Sequence, residues 1–198
     1  MICKILDDQF DQLYLHQIAG HIGEIPLSYN NIANRTTWPY ELKGSHKLLG
    51  CKLFQRGNGI NRINTCHEKV EPFFNILERL EEVLSAYFMC NQIGLNVQYM
   101  GFDGTSHTDS ADPNDITLLM MTNPEWDSSW GGQFQLTDKD GEHIVEEHEY
   151  VPGRIIVLPS KHPHRGLAPT VPHVYRTSIV WRVTPLDYYL RKNFPPRG

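Results

Sequence analysis

Hydrophobic and polar residues alternate in several short segments of this chain, and that pattern predicts β-strands. The segment Leu95-Asn96-Val97-Gln98-Tyr99-Met100 alternates in this way and is followed by a glycine-bounded turn at 101–104. Residues 174–183 alternate as well, so one strand face should carry Arg176, Ser178, Val180 and Arg182, and the other Tyr175, Thr177, Ile179 and Trp181. With other segments of this type, strands are predicted near residues 47–54, 95–100, 116–122, 133–137, 142–147, 154–158, 164–167 and 175–183.

Two segments instead repeat apolar residues at the spacing of an α-helix. The first covers residues 7–22, with Asp7 or Asp8 as the N-cap. The second covers residues 68–91, with Pro72 near the first turn and an apolar stripe formed by Phe73, Phe74, Leu77, Leu80, Val83, Leu84, Tyr87 and Phe88. Two helices packed on one sheet, with about eight strands, predict a mainly β protein with flanking helices, of the double-stranded β-helix (jelly-roll, cupin-like) class.

The candidate chemistry lies where predicted strands end. His107-Thr108-Asp109 follows the turn at 101–104, and in an extended segment His107 and Asp109 point the same way, so both can face one metal ion. Taken alone, they also fit a surface loop with two solvated polar residues. A further histidine follows the apolar strand at 153–159. Two imidazoles and one carboxylate are the facial triad that holds Fe(II) while leaving coordination positions open.

Two assignments stay open beyond residue 159: which histidine is the further ligand, and what Arg176 does. His162 and His164 share a strand face, and we prefer His164 as the ligand because His164-Arg165-Gly166 leads into the next strand and because of its spacing to Arg176. His162 is the alternative ligand or a residue at the rim. An arginine inside a strand, such as Arg176, is costly to bury unless its guanidinium meets a carboxylate in a two-pronged pair. Arg176 is therefore either an anchor for a dicarboxylate co-substrate or an exposed edge-strand residue paired with a neighbouring acid.

The residues between Asp109 and His164 complete a resemblance to a known family. Asn123-Pro124-Glu125-Trp126 and Trp130-Gly131-Gly132 lie between the histidines, and residues 152–158 precede His164. In this order, the motifs of residues 94–184 resemble the Fe(II)- and 2-oxoglutarate-dependent dioxygenases of the prolyl 4-hydroxylase-like branch.

The resemblance implies a role for each matching residue. His107, Asp109 and His164 would be the iron ligands at the catalytic centre, Arg176 would pair with the far carboxylate of 2-oxoglutarate, and Tyr99 would contact the same co-substrate. Fe(II), 2-oxoglutarate and O₂ would be required, with ascorbate as a reductant.

The implied reaction is hydroxylation of a C–H bond, coupled to decarboxylation of 2-oxoglutarate to succinate and CO₂. The expected substrate is a prolyl residue in a peptide or protein. The alternatives are a small molecule or free amino acid, or a catalytically silent jelly-roll module that only binds a ligand. Relatives that hydroxylate proline often have a tyrosine where this chain has Met120 and Met121, so a differently lined co-substrate pocket is expected, which counts against prolyl specificity.

Substrate contacts are predicted from residues 26–46, which are rich in proline, asparagine and aromatic residues. A loop of this length in a compact domain is often a lid or a binding loop, and the alternative is a connecting segment packed on the sheet. Arg35 and Trp38 in this loop, together with Trp130, are the candidate substrate-binding residues. The mouth of the iron site is expected to be bordered by Asp112, Asp115, Trp130, Gly131 and Gly132, although the glycines also allow a sharp backbone turn.

Composition narrows the class of protein. A chain of 198 residues, 40% hydrophobic and 21% charged, predicts one domain, with residues 1–93 as helical and loop support and residues 94–184 as the catalytic core. The absence of a long apolar run and of a signal-peptide pattern predicts a cytoplasmic protein without a membrane partner. The cysteines lack metal-type spacing and are expected to be reduced. A formal net charge of −5 counts against nucleic-acid binding, and no pattern indicates the oligomeric state.

Overall fold

The computed structural model describes residues 2–40, 46–57 and 64–193 of the chain. The first half contains β1 (Lys4–Leu6), α1 (Gln12–Gly23), β2 (Ser28–Ala33), β3 (His46–Gln55), β4 (Thr65–Cys66) and α2 (Glu71–Leu84). The second half contains β5 (Phe88–Gln98), β6 (Ile116–Met121), a short 3₁₀ helix (Ser128–Trp130), β7 (Phe134–Thr137), β8 (Ile144–His148), β9 (Ile155–Pro159), β10 (His164–Gly166), β11 (Arg176–Pro185) and α3 (Leu186–Asn193).

The strands form two antiparallel sheets of unequal size. The large sheet has the order β1-β9-β6-β11-β5-β3-β2, with β4 paired to β3, and the small sheet has the order β10-β7-β8. Many neighbours in these orders, such as β1 and β9 or β5 and β11, are far apart in the chain, as in a jelly roll. The predicted double-stranded β-helix is confirmed, with β1, β2, β4 and α3 as elements that the sequence pattern did not indicate.

Two apolar clusters lie on opposite faces of the large sheet. On one face α1 and α2 pack through Leu15, Ile18, Ile22, Phe73, Ile76, Leu77 and Leu80 against strand residues that include Ile93, Leu95, Leu118, Ile179 and Trp181. On the other face Leu119, Met121, Ile156 and Leu158 pack against Phe134 and Leu136 of the small sheet. The predicted packing of both helices on one sheet is therefore confirmed, and the site lies on the other face, between the sheets.

The first helix begins later than predicted. Its N-cap is Asp11, whose carboxylate accepts a hydrogen bond from the backbone N–H of Tyr14 at 2.8 Å. The predicted caps are wrong: Asp7 pairs with Arg154 through two 2.8 Å contacts, and Asp8 has a positive φ of 59°, which is incompatible with a helix start.

The second helix ends earlier than predicted. Ser85, with φ 50° and ψ 43°, adopts the left-handed conformation that often terminates a helix, although Pro72 lies in the first turn as expected. Phe88 then opens β5, where it pairs with Pro185. The helical spacing of residues 85–91 is therefore overridden by sheet pairing.

The four cysteines are free thiols, in agreement with the prediction. Within the residues that the structure describes, no helix combines the length and apolar character needed to span a membrane.

Candidate active site

The two predicted histidine ligands are held together by their own backbones. The N–H of His107 donates to the carbonyl of His164 at 3.0 Å, and the N–H of His164 donates to the carbonyl of His107 at 2.9 Å. The N–H of Asp109 donates to the carbonyl of Ser160 at 2.8 Å, outside this isolated bridge. Because residues two apart in an extended segment share a side, the His107 and Asp109 side chains turn toward His164 together.

The ligand atoms of these three residues lie within 4.8 Å of one another. Nε2 of His107 is 3.7 Å from Oδ1 of Asp109, and Nε2 of His164 is 3.4 Å from Oδ2. Two imidazole nitrogens and one carboxylate at such separations fit a single Fe(II) ion.

Backbone carbonyls fix the tautomer of both histidines. Nδ1 of His107 lies 2.9 Å from the carbonyl of Thr105, and Nδ1 of His164 lies 2.8 Å from the carbonyl of His162. Since a carbonyl only accepts, each Nδ1 must carry the proton, which leaves the lone pair of each Nε2 for a metal. Burial lowers the pKa of His107, and His164 lowers it further, although half of the His107 side-chain surface is accessible from the cavity. Both rings are therefore suited to bind a cation.

The Asp109 carboxylate is buried and held at both oxygens. Nη2 of Arg182 donates to Oδ1 at 2.5 Å, and Oγ1 of Thr117 donates to Oδ2 at 2.8 Å. Burial alone would raise the pKa of Asp109, but the His164 ring and the Arg182 guanidinium outweigh it and hold that pKa well below its ordinary value. The carboxylate is therefore ionised and fixed in orientation before any metal binds.

The contacts of Arg182 and Thr117 with Asp109 are features of the candidate site that sequence reasoning missed. Strand alternation placed Arg182 on the same face as Arg176, but no sequence pattern connects it to Asp109, which lies 73 residues earlier. This contact depends on the pairing of β11 with β6, where Arg182 lies opposite Thr117.

Arg176 lies fully buried at another part of the same cavity. Its Nε donates to the carbonyl of Gly132 at 2.9 Å, and its Nη1 donates to the side-chain oxygen of Gln98 at 3.0 Å. Its guanidinium also lies 5.3 Å from the centre of the Tyr150 ring. No carboxylate is among these partners, and Nη2 has no hydrogen-bond partner in the described part of the chain. The predicted alternative of an exposed edge-strand arginine is wrong, since β11 is central in the large sheet.

A cavity of about 260 Å³ connects these groups. Its wall includes the three metal-ligand side chains, both arginines, and further residues of β5, β6, β7 and β11. Leu48, Cys51 and Lys52 of β3 also line it, so the predicted support region contributes to the wall of the site.

Two predicted contact residues lie outside this cavity. Tyr99 follows the last residue of β5, and its ring stacks on Phe102 at 3.9 Å between centroids, while Gln98, one residue earlier, lines the cavity instead. Trp130 packs edge-on against Trp126 and borders a separate surface depression with Tyr175. The structure therefore does not bring Tyr99 or Trp130 to the ligand cluster. Side-chain direction alternates along an extended chain, so Gln98 faces the cavity and Tyr99 does not. Trp130 lies in the 3₁₀ helix and packs on Trp126.

The predicted binding loop is partly a strand. Residues 28–33 form β2 and pair with β3, and residues 41–45 lie outside the described part of the chain. Arg35 is exposed in the turn that follows β2. Trp38 lies 4.1 Å from the Arg165 guanidinium, and its carbonyl accepts from the N–H of Ser106 at 2.7 Å, so it packs behind the histidine pair.

The residues expected at the mouth have structural contacts. Asp112 pairs with Lys192 at 2.6 Å, and Asp115 accepts hydrogen bonds from Ser110 and Thr184. Gly131 and Gly132 have φ values of 74° and 79°, and a Cβ on Gly132 would lie only 2.7 Å from the Trp126 ring. The alternative role predicted for the glycines, a sharp backbone turn, is therefore the one observed, and this turn presents the Gly132 carbonyl to Arg176.

The two methionines that replace the expected tyrosine are fully buried on opposite sides of β6. Met120 belongs to the core beneath the helices, and Met121 belongs to the core between the sheets. The cavity wall on this strand is formed by Thr117 and Leu119, without a tyrosine.

Comparison with known proteins agrees with this geometry. The family model of the 2OG-Fe(II) oxygenase superfamily matches residues 94–181. No curated protein matches the chain in sequence.

Several solved structures share the fold at low sequence identity. A 2OG-Fe(II) oxygenase family oxidoreductase from Burkholderia pseudomallei aligns with a TM-score of 0.67 at 16% identity, over 92% of this chain and 85% of that one. A prolyl-4-hydroxylase from Pseudomonas putida aligns at 0.59 and 14% identity, over 93% and 92%. A prolyl hydroxylase from Trichoplax adhaerens, in complex with a hypoxia inducible factor peptide fragment, aligns at 0.57 and 12% identity, over 94% and 84%.

The matched segment contains the three candidate metal ligands, His107, Asp109 and His164, and also Arg176. Residues 94–181 are therefore similar to the 2OG-Fe(II) oxygenase superfamily in sequence, and the fold is similar to that of solved prolyl hydroxylases.

Proposed function

We propose that this Fe(II)- and 2-oxoglutarate-dependent dioxygenase hydroxylates a prolyl residue in a peptide or protein. The proposal has two parts that rest on different observations: the co-substrate is argued from the Arg176 end of the cavity, and the substrate from the fold and from the size of the cavity.

The observation that carries the co-substrate is the unpaired charge of Arg176. A fully buried guanidinium is strongly disfavoured unless an anion and hydrogen bonds compensate it. Here Nε and Nη1 have neutral partners, Nη2 has none in the described chain, and burial lowers the pKa of the group. The far carboxylate of 2-oxoglutarate would supply the missing negative charge and a second acceptor.

The other end of the cavity fits the metal. Nε2 of His107, Nε2 of His164 and the Asp109 carboxylate would hold Fe(II), while Arg182 and Thr117 keep that carboxylate oriented. When bound there, Fe(II) with 2-oxoglutarate and O₂ supplies an oxidation that inserts one oxygen atom into a substrate C–H bond and leaves succinate and CO₂. The protein's own contribution is to bind the co-substrate carboxylate at Arg176 and to restrict the access of water.

Two observations bear on the substrate. Solved structures with the same fold include prolyl hydroxylases, one of them with a bound peptide, which supports a peptidyl proline. The cavity of about 260 Å³ has no tyrosine from β6 in its wall, which favours the second candidate, hydroxylation of a small molecule or free amino acid. If the co-substrate occupies part of this volume, we expect the prolyl ring to enter the cavity and the rest of the peptide to stay outside it.

The co-substrate assignment is tested by anaerobic titration. Metal-free protein is titrated with Fe(II) and then with 2-oxoglutarate, while the weak visible charge-transfer band of the chelated complex is monitored. We expect the band in the wild type and, in Arg176→Met, unchanged Fe(II) binding with a band that forms only at much higher 2-oxoglutarate concentration. Fe(II) binding without any band in the wild type would contradict the assignment of Arg176.

The substrate assignment is tested with proline-rich peptides and free amino acids in parallel. Products are scored by a mass gain of one oxygen and by succinate formed per product. Oxygen gain on a peptidyl proline supports the proposal, and gain only on free amino acids supports the second candidate. Bound 2-oxoglutarate that is never converted to succinate, with or without these substrates, would instead indicate a catalytically silent binding module.

A further inference from the structure

A second group of metal-binding side chains lies where the N-terminal segment meets the small sheet. Cys3 directly precedes β1, and Glu146 and His148 are alternate residues of β8, so their side chains share one strand face. Sγ of Cys3 is 3.1 Å from Nε2 of His148 and 3.4 Å from Oε1 of Glu146. Nε2 of His148 is 3.1 Å from the same carboxylate oxygen. This cluster shares no residue with the iron site and plays no part in the function proposed above.

The separations are close to those in a zinc coordination shell. Zinc bonds of about 2.0 to 2.3 Å in tetrahedral geometry place neighbouring ligand atoms about 3.3 to 3.8 Å apart. The three atoms here are 3.1, 3.1 and 3.4 Å apart. Small side-chain rotations outward would therefore admit an ion without any movement of the backbone.

The types of donor atom select the kind of ion. A thiolate and an imidazole are ligands for Zn²⁺ and related transition metals, whereas Mg²⁺ and Ca²⁺ prefer oxygen ligands only. A carboxylate is a common third ligand of zinc. Together the three side chains offer one sulfur, one nitrogen and one oxygen atom.

The surroundings hold the cluster in place. Cys3 is 5% exposed and belongs to the apolar core between the sheets, while the side chains of Glu146 and His148 are 17% and 13% exposed. The N–H of Ile2 donates to Oε2 of Glu146 at 2.8 Å, which leaves Oε1 directed at the thiol and the imidazole. Burial raises the pKa of Cys3 to about 12, with Glu146 adding to the shift, so the thiol is protonated until a metal displaces its proton to solvent.

We propose that Cys3, Glu146 and His148 bind one Zn²⁺ ion, with water completing its coordination. The ion would connect the start of the chain to β8, which lies at the outer position of the small sheet. Because the ligands come from segments more than 140 residues apart in the chain, zinc binding would stabilise the folded state relative to the unfolded one.

The test uses Co²⁺ as the probe and full-length protein in which the iron site is removed. His107→Ala/Asp109→Asn is purified reduced and metal-free, and Co²⁺ is added while the near-ultraviolet thiolate-to-cobalt charge-transfer band is recorded. We expect the band to saturate at one equivalent, to disappear when Zn²⁺ is added, and to be accompanied by a higher Tm with Zn²⁺. Since this background lacks two iron ligands, failure of the oxygenase proposal would not affect the outcome.

Matched variants in the same background identify the ligands. Cys3→Ser retains a hydrogen-bonding group beside Glu146 and should abolish the band, whereas Cys66→Ser, at an exposed thiol, should leave it unchanged. His148→Ala should weaken Co²⁺ binding at least tenfold, whereas His143→Ala, at an exposed histidine, should not. Circular dichroism shows whether each variant is folded. A folded parent protein that shows no thiolate band, or a band that survives Cys3→Ser, would overturn the proposal and leave the cluster as a hydrogen-bonded network.

Discussion

The two arginines that β11 directs into the cavity have different partners. Arg182 meets the Asp109 carboxylate at 2.5 Å, whereas Arg176 meets neutral oxygen atoms and has an unpartnered Nη2 in the described chain. Arg176 is 1% exposed, while the Arg182 side chain is 34% exposed, so the arginine without an acid partner is the more deeply buried one.

Burial of an uncompensated charge decreases stability, and a protein retains it where a ligand supplies the opposite charge. The charge of Arg182 is compensated by Asp109, although its Nε, like Nη2 of Arg176, has no hydrogen-bond partner among the described residues. The charge of Arg176 has no acidic partner among the described residues, and under the proposed function the co-substrate carboxylate would supply one. The following substitutions test this difference, from the largest expected effect to the smallest.

Asp109→Ala should have the largest effect, because it removes a metal ligand and leaves the Arg182 guanidinium without its acid. We expect turnover, measured as succinate formation, to fall by more than about 10²-fold, since loss of groups that merely orient a ligand already costs 10- to 100-fold. Iron retained after gel filtration should fall in parallel. Asp138→Ala, at a surface carboxylate paired with His143, is the control and should retain both. Full iron content and full turnover in Asp109→Ala would refute the assigned metal site.

Arg176→Met should raise the KM for 2-oxoglutarate by about 10²-fold or more, because breaking a buried ion pair costs about 3–5 kcal/mol. Fe(II) affinity, measured by competition with a chelator, should not change. Arg176→Lys keeps the charge but loses the two-pronged geometry, so its KM should lie between those of the wild type and Arg176→Met. An unaltered KM in Arg176→Met would show that the co-substrate carboxylate binds elsewhere.

Arg182→Met should give the reverse pattern. Loss of the hydrogen bond to Oδ1 of Asp109 is expected to weaken Fe(II) binding by about tenfold, as for other groups that orient a metal ligand. At saturating Fe(II), the KM for 2-oxoglutarate should stay at the wild-type value. If the KM changes more than the Fe(II) affinity, the division of roles between the two arginines is wrong.

Gly166→Ala should have a smaller effect, confined to the Arg176 end. Its Cβ would lie 3.0 Å from Oε1 of Gln98 and 3.2 Å from Cζ of Arg176, so both side chains must shift. We expect a several-fold rise in the KM for 2-oxoglutarate and no change in Fe(II) affinity. The control is Gly94→Ala, also in the cavity wall, where the nearest atom would be Nε2 of Gln92 at 3.7 Å. Equal effects of the two substitutions would contradict this steric explanation.

Asp7→Asn should have the smallest effect. It measures how much an arginine–aspartate pair near the surface contributes to the free energy of unfolding. The Arg154 guanidinium holds the pKa of Asp7 below its ordinary value, while the Asp7 side chain is 38% exposed, so the pair should contribute less than about 1 kcal/mol. A carboxyl with a lowered pKa in the folded state stabilises the protein above its unfolded-state pKa, and this contribution is lost as the pH falls below about 4. In urea unfolding, wild type and Asp7→Asn should therefore differ slightly at pH 7 and converge at pH 3. An equal difference at both pH values would exclude ionisation as the cause.

Two central strands of the large sheet could be predicted from the sequence almost to the residue. The segment predicted at 116–122 is β6 at 116–121, and the segment predicted at 175–183 is β11 at 176–185. The helix predicted over 68–91 was wrong beyond Leu84, because apolar residues such as Phe88 satisfy helical spacing and strand pairing equally well, and the partner strand β11 is 88 residues farther along the chain. The strands β1, β2 and β4 are short or weakly patterned, and they exist because neighbouring strands offer them hydrogen bonds.

The candidate site divides in the same way. His107 and Asp109 could be proposed from sequence because residues two apart in an extended segment can face one ion. His164 and Arg176 could be proposed from their residue types and their positions in or after predicted strands. The placement of Tyr99 could not, since it depends on where β5 ends. The carboxylate partner of Arg182, the unpaired Nη2 of Arg176 and the approach of Cys3 to β8 could not either.

The sequence by itself determined the candidate metal ligands that the structure brings together, the alternation that points Arg176 and Arg182 to one side, and the class of fold. The tertiary structure decided which arginine has an acid, how deeply each is buried and which distant side chains meet at the edge of the small sheet. The physical reason is that periodicity and residue chemistry are local properties, readable from neighbours in the chain. Charge compensation and burial depend on groups brought together from far apart in sequence by strand pairing.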